Sequence, residues 1–463
     1  MADLHVSINH ADGGIAAQIA AELREAIRRG RLTPGVRLPA SRDLAADLAV
    51  SRGVVVEAYE QLVAEGFLIS RVGSGTRVAP AAARPPALPA PSAPEGPGPH
   101  YGHRPTSPDL GHFPRERWLA SVRHVLTTVP SDALDYGDPG GVPELREELA
   151  GYLRRVRAAD VAPANLVIVG GVAQGLSLVL HVLTQRTGAG QYTLAVEDPA
   201  SHRQVPLLRR AGARLLSVPV DDQGLDVAAL RGRQADGVLV TPAHQYPTGV
   251  VLSPARRAAL MAWAQAADGF VLEDDYDAEF RFDRDPVGCL QGLAPDRVIL
   301  SGSVSKALAP GLRLGWVAAP AELAEAVRRA RGELDLGSPV IEQYALAHFL
   351  RTGGYDKHLR RMRREYHRRR DALVAALAEH LPEVRAYGIE AGLHIYLRLP
   401  DGWDESRVSE LAQEQGLAAE PVAPMRFTKG GPAVVVGFAR LPAHRAAEAI
   451  RGLKVRMSGQ SID

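Results

Sequence analysis

The sequence predicts an α/β protein in two parts. An N-terminal winged helix-turn-helix over residues 1–79 is joined by a Pro/Ala-rich linker, 80–102, to a larger domain, 103–463. That domain is a mostly parallel, doubly wound sheet with a smaller α+β lobe. Three observations lead there. Apolar residues in the first 79 positions recur at helical and then at strand spacing. Between Pro80 and Pro99, eight of twenty residues are proline and six are alanine. Beyond them, short apolar runs alternate with helix-length amphipathic segments, the pattern of βαβ units.

Ile15, Ile19, Leu23 and Ile27 recur every four residues and make one apolar helix face. Thr33-Pro34-Gly35 is a turn. Ser41 is expected to cap a short helix reaching Leu48, and Ser51 a second helix with Val55, Tyr59 and Leu62 inward and Gly66 at its end. Strands at Phe67–Ile69 and Thr76–Val78, joined through Gly73-Ser74-Gly75, complete the wing. The proline run forbids helix and sheet and reads as an extended, semi-rigid spacer.

Strands are then expected at Leu166–Val169, Leu194–Val196, Leu215–Val218, Val238–Val240, Phe270–Leu272, Val298–Leu300 and Trp316–Ala318. Val161 to Gln185 carries no Asp, Glu, Lys or Arg, but its glycines, Pro163 and His181 make it a buried strand, a Gly turn and a buried helix rather than a membrane span. A long Arg-rich helix over Asp356–Leu381 and strands near Leu393–Leu399 and Val434–Phe438 form the smaller lobe.

Composition excludes several classes. Hydrophobic residues are 46% and charged residues 23% of 463, which rules out a disordered chain. The single cysteine, Cys289, rules out an intrachain disulfide. The first ten residues lack a basic segment followed by an apolar core, so a cytoplasmic protein is expected. Only four of the 54 basic residues are lysines: Lys306, Lys357, Lys429 and Lys454. In so Arg-biased a chain each survivor marks a place where a deprotonatable amine could be required.

Lys306 is the lysine with a chemical context. It follows a buried strand in Ser301-Gly302-Ser303-Val304-Ser305-Lys306, with Arg313 seven residues on. Desolvation lowers the pKa of such an amine and suits it to imine formation, while Ser303, Ser305 and Arg313 can hold a phosphate. A lysine imine plus a phosphate anchor describes pyridoxal 5'-phosphate, PLP. Its ring nitrogen needs a carboxylate, which Asp274 in Glu273-Asp274-Asp275-Tyr276 can supply, with Tyr276 near the phenolic oxygen. Gly171-Val172-Ala173, opening a helix, offers backbone N–H groups as a second phosphate cradle. No metal site is expected. In the N-terminal unit, a helix-turn-helix would use Ser51 and Arg52 at the start of its second helix, with Arg42 before it and the wing beside it. Nine arginines balance nine acids over residues 1–79, so the argument for DNA rests on arrangement rather than net charge.

Two resemblances extend this reading. Gly30-Arg31-Leu32-x-Pro34-Gly35-x-Arg37-Leu38-Pro39-x-Ser41-Arg42, Ser51-Arg52-x-x-Val55-x-x-Ala58-Tyr59 and Gly73-Ser74-Gly75-Thr76 resemble the GntR family of winged-helix regulators. That likeness implies DNA contacts at Arg42, Arg52, Gly75 and Thr76. Tyr136-Gly137-Asp138-Pro139, Pro242-Ala243-His244-Gln245-Tyr246-Pro247-Thr248-Gly249, Glu273-Asp274-Asp275-Tyr276-Asp277 and Ser303-x-Ser305-Lys306 resemble fold-type I, class I aminotransferases. The two-part order looks like the MocR/GabR regulators. The resemblance implies a Schiff base at Lys306, Asp274 at the pyridine nitrogen, Tyr276 at the phenolic oxygen, and Ser303 and Arg313 on the phosphate. Tyr136 would reach the phosphate of a neighbouring subunit in a head-to-tail homodimer.

The sequence departs from the enzymes in two places. Ala200-Ser201-His202 stands where Gly-Tyr is usual, so His202 is either a ring contact or a surface residue, and Arg203 is a candidate effector contact. Val435 occupies the position where the enzymes place an Arg for the substrate carboxylate. The expected function is a PLP-dependent, DNA-binding transcriptional regulator whose effector is PLP or an amine. Occupancy would change the placement of two DNA-binding heads, and steady-state transamination would be slow or absent. The alternative is a working aminotransferase with a DNA-binding appendage.

Overall fold

The computed structural model describes residues 6–9, 13–71, 75–80, 104–188, 190–282 and 287–458. The linker from 81 onward and the wing-tip residues Gly73 and Ser74 lie outside the described residues. The chain forms two compact units, Met1–Pro99 and His100–Asp463.

In the first unit, α1 (Ile15–Arg28), α2 (Ser41–Asp47) and α3 (Arg52–Ala64) precede the antiparallel pair β1 (Leu68–Arg71) and β2 (Gly75–Val78). Ile19, Leu23, Leu44, Val55, Ala58 and Leu62 are buried together, so the four-residue periodicity of α1 is the core-facing stripe. The two capping expectations change in detail. Ala40, not Ser41, is the N-cap of α2. Ser51 is the N-cap of α3, but its side chain makes no capping hydrogen bond. Ser51 is exposed, and the half-buried Ser41 hydroxyl accepts from Arg52 instead.

The second unit is built on an eight-stranded sheet. Its strands are β3 (Leu166–Val169), β4 (Tyr192–Asp198), β5 (Ala213–Asp221), β6 (Gly224–Leu225), β7 (Gly237–Val240), β8 (Phe270–Asp275), β9 (Val298–Ser303) and β10 (Gly315–Ala318). The spatial order is β3-β10-β9-β8-β7-β4-β5-β6. Only β10 and β6 run against the rest, so the sheet is mixed but mostly parallel. Every residue of β3, β4, β7, β9 and β10 is buried, as strands covered on both faces require. The Asp/Glu/Lys/Arg-free stretch forms β3 and the helix Val172–Thr187. Among the described residues, no helix is long and apolar enough to cross a membrane.

The smaller lobe carries β11 (Arg385–Tyr387), β12 (His394–Arg398), β13 (Ala418–Pro421) and β14 (Ala433–Gly437), antiparallel in the order β11-β12-β14-β13. The Arg-rich helix spans Gly354–His380. β6, β11 and β13 are short and have no apolar run, so sequence periodicity does not reveal them. The two lobes are tied at Asp198, whose carboxylate accepts the backbone N–H groups of Phe427 and Thr428 and the Thr428 hydroxyl. The Ala200 N–H donates to the Met425 carbonyl nearby.

Candidate functional site

The C-terminal ends of β4, β8 and β9 open on a cavity of about 280 Å³, where ligands of open parallel sheets bind. β8 ends in three successive carboxylates, and strand alternation sorts them. Glu273 is buried and accepts the backbone N–H groups of Leu290 and Gln291. Asp275 takes a two-pronged ion pair from buried Arg157, at 2.7 and 2.9 Å. These anchors fix the strand end and turn Asp274 to the cavity. There one Asp274 oxygen accepts from Gln204 Nε2 at 2.7 Å, and the other, Oδ1, is buried without a hydrogen-bond partner. Burial raises the Asp274 pKa to about 6.

Lys306 faces the same cavity just beyond β9. Its amine donates to Thr106 Oγ1 at 3.0 Å. Burial pulls its pKa down to about 8, against the opposing pull of Asp277 and Asp274, with Arg104 and Arg203 adding to the lowering. The other three lysines are exposed. Ser303 and Ser305 line the wall beside Lys306, the Ser303 hydroxyl accepting the Ser305 N–H at 3.3 Å.

The phosphate end is assembled from three segments. Gly171 is the N-cap of the helix Val172–Thr187 at φ 104°, a conformation that favours glycine. A Cβ there would stand 3.1 Å from the Arg313 guanidinium. Val172 and Ala173 begin the helix on the cavity wall. A helix N-terminus, a guanidinium and two serine hydroxyls thus converge as an anion cradle. A buried carboxylate oxygen lacking a partner, a deprotonatable lysine and this cradle match the three polar ends of PLP.

Tyr276 lines the cavity and is half-buried. Its hydroxyl lies 3.1 Å from His244 Nδ1, which is also 3.0 Å from Asp277 Oδ2. Burial raises the Tyr276 pKa far above its usual value. His244, Asp277 and His394 bring their donor atoms within 4.8 Å of one another, a buried grouping that sequence spacing did not reveal. Arg203 lines the cavity but is held by Glu420, with bonds of 2.7 and 2.9 Å to its two oxygens. His202 does not line it, although its neighbours Ser201 and Arg203 do, and its Nδ1 is buried without a partner. Tyr136 is also absent from the lining and is 83% exposed. Arg104, Thr106 and Gln204 line the cavity although no motif signalled them, and Glu420 reaches Arg203 from outside the lining.

In the winged helix, Arg52 Nε lies 3.4 Å from Ser41 Oγ, which ties the start of α3 to the start of α2. Arg42 is 82% exposed. Ser41, Gly75 and Thr76 share a cleft with Arg37, whose guanidinium lies against Gly75. Arg37 and Glu60 are the charged residues of this cleft, and Arg42 and Arg52 do not line it.

Comparison with known proteins agrees with both units. Residues 109–450 match the family described as aminotransferase class I and II, and residues 15–78 match the bacterial regulatory proteins of the gntR family. The chain belongs to the aminotransferase class I and II family, in its helix-turn-helix regulator branch. Its relatives include the HTH-type pyridoxine biosynthesis transcriptional regulator PdxR of Corynebacterium glutamicum, 36% identical over 86% of each chain. The probable rhizopine catabolism regulatory protein MocR of Rhizobium meliloti is 30% identical over 96% of this chain and 94% of its own. Among solved structures, the kynurenine aminotransferase of Pyrococcus horikoshii superposes with a TM-score of 0.71 at 26% identity, covering 78% of this chain and 91% of its own. The chain is a transcriptional regulator on an aminotransferase scaffold.

Proposed function

We propose that this protein binds an operator through its winged helix and senses PLP, or an amine that reacts with it, in the cavity around Lys306. The observation that carries the proposal is Asp274: a buried carboxylate oxygen without a partner, facing the same cavity as a lysine of lowered pKa. When bound, PLP supplies an aldehyde that captures amines and an electron-withdrawing ring. The chain's own groups would hold it. Lys306 provides the neutral amine for attachment, Asp274 pairs with the ring nitrogen, and Tyr276 orients the phenolic side. Ser303, Ser305, Arg313 and the Gly171–Ala173 helix start take the phosphate. The exposure of Tyr136 supports a head-to-tail homodimer in which it completes the partner's site. A DNA-bound regulator of this kind works in the cytoplasm.

Turnover as an aminotransferase is disfavoured. Arg203 is occupied by Glu420, and Arg426 is committed to the Gly431 carbonyl at 2.6 Å and to Tyr396. Val435 is fully buried. Guanidiniums so engaged are not free to hold a substrate α-carboxylate in the pose that proton abstraction requires. Kinship with a regulator of pyridoxine biosynthesis favours PLP itself as the signal. The test is operator affinity, on DNA selected from a random library, with and without PLP. PLP should change the affinity of wild type and not of Lys306→Ala. Equal wild-type affinity in both conditions would refute the proposal.

A further inference from the structure

Arg203 is one of three arginines that line the cavity, with Arg104 and Arg313, and the protein supplies a carboxylate to it itself. Glu420 comes from β13 in the smaller lobe, 217 positions away, and engages two guanidinium nitrogens with its two oxygens at 2.7 and 2.9 Å. The Glu420 side chain is 12% exposed and the Arg203 side chain 41%. A two-pronged guanidinium–carboxylate pair is the strong form of a charge-assisted hydrogen bond.

The register of the small sheet gives this pair a second meaning. Glu420 is directly opposite Val435 on β14. Cross-strand partners project to the same face of a sheet. Thus the position where the enzymes carry an arginine has an apolar residue here, and the residue beside it is a negative charge. Tyr246 packs against the small apolar cluster that contains Val435 and lines the cavity, which connects this corner to the site.

We infer that Glu420 decides which ligands the cavity accepts: it closes Arg203 to ligand carboxylates, so that the site takes carboxylate-free primary amines in preference to α-amino acids. An amino acid that directs its carboxylate to Arg203 must displace Glu420 and leave that carboxylate partly buried and unpaired, or place its own carboxylate beside it. Either course is costly, because a partly buried carboxylate without a partner loses solvation and like charges repel. A ligand with no carboxylate meets neither cost. PLP belongs to that group, since its anionic end goes to the opposite, Arg313 side. Glu420 would therefore shield a cofactor-sensing site from the cell's amino acids. The inference rests on the proposed PLP site, and the experiment separates the two.

The full-length protein is loaded with PLP and titrated with L-alanine or L-alaninamide, which differ in the charged carboxylate. The half-point of the cofactor absorbance change is read. In wild type the amide should act at a concentration at least about tenfold lower than the acid. Glu420→Gln and Glu420→Ala should each lower the L-alanine half-point about tenfold and leave that of the amide within about twofold. Adding Arg203→Met to Glu420→Gln should abolish the gain. Comparable wild-type responses to acid and amide would overturn the inference without any substitution, and so would unchanged acid half-points in both Glu420 variants. Absence of a cofactor band in wild type would remove the PLP site and the inference together, whereas a normal band with no discrimination would remove the inference alone.

Discussion

Lys306 should attach PLP with a pH dependence unlike that of an ordinary lysine. The reacting species is the neutral amine, so the attachment rate follows its population. With a pKa of about 8 set mainly by burial, half of the amine is neutral at pH 8 and nearly all at pH 10. The rate should rise about tenfold per pH unit below 7 and only about twofold between pH 8 and pH 10. A lysine at 10.5 would instead gain roughly 75-fold over that second interval. The assay mixes cofactor-free protein with PLP across pH 6–10 and follows growth of the protein-bound absorbance band, with Lys306→Ala as the baseline. Borohydride trapping and peptide mapping confirm the attachment site. A substitution gives an independent check on the sign. Asp274 is one of the carboxylates holding the Lys306 pKa up, so Asp274→Asn should lower it further and move the plateau to more acidic pH. A rate that keeps climbing tenfold per unit up to pH 10, or trapping at Lys357, Lys429 or Lys454, would refute the reasoning.

Two other outcomes are expected. Asp274→Asn should weaken PLP binding about ten- to a hundredfold, the worth of a charged hydrogen bond of roughly 1.5–3 kcal/mol, as measured by equilibrium titration; unchanged affinity would remove Asp274 from the ring nitrogen. Arg52→Ala should weaken operator binding with the PLP spectrum unaltered, and should reduce the slope of log affinity against log salt by about 0.9 if Arg52 contacts one phosphate; wild-type affinity at every salt concentration would displace α3 from the DNA.

The sequence by itself determined much of this protein. The helical spacing of Ile15, Ile19, Leu23 and Ile27, the buried apolar runs of the large sheet and the strand-end placement of Asp274 and Lys306 are local patterns. Chain stereochemistry converts local patterns directly into elements with a defined buried face. The motif residues Ser303, Ser305, Arg313 and Gly171 could be read for the same reason, since each sits at a turn or helix start next to a strand. Tertiary structure decided the rest. Ser41 and Ser51 have the composition of caps, but hydroxyl bonding depends on the surrounding geometry, and neither side chain caps a helix. Arg203 could be named as an effector contact from its neighbours, but its pairing with Glu420 spans 217 positions and crosses from one lobe to the other. Such a contact leaves no periodic trace, because it is created by the docking of two separately patterned lobes. The same holds for the Lys306–Thr106 hydrogen bond, for Gln204 on Asp274, and for the unpartnered Asp274 oxygen. Residue type and strand end can place a carboxylate at the site, but only the packed surroundings decide which of its oxygens remains to meet a ligand.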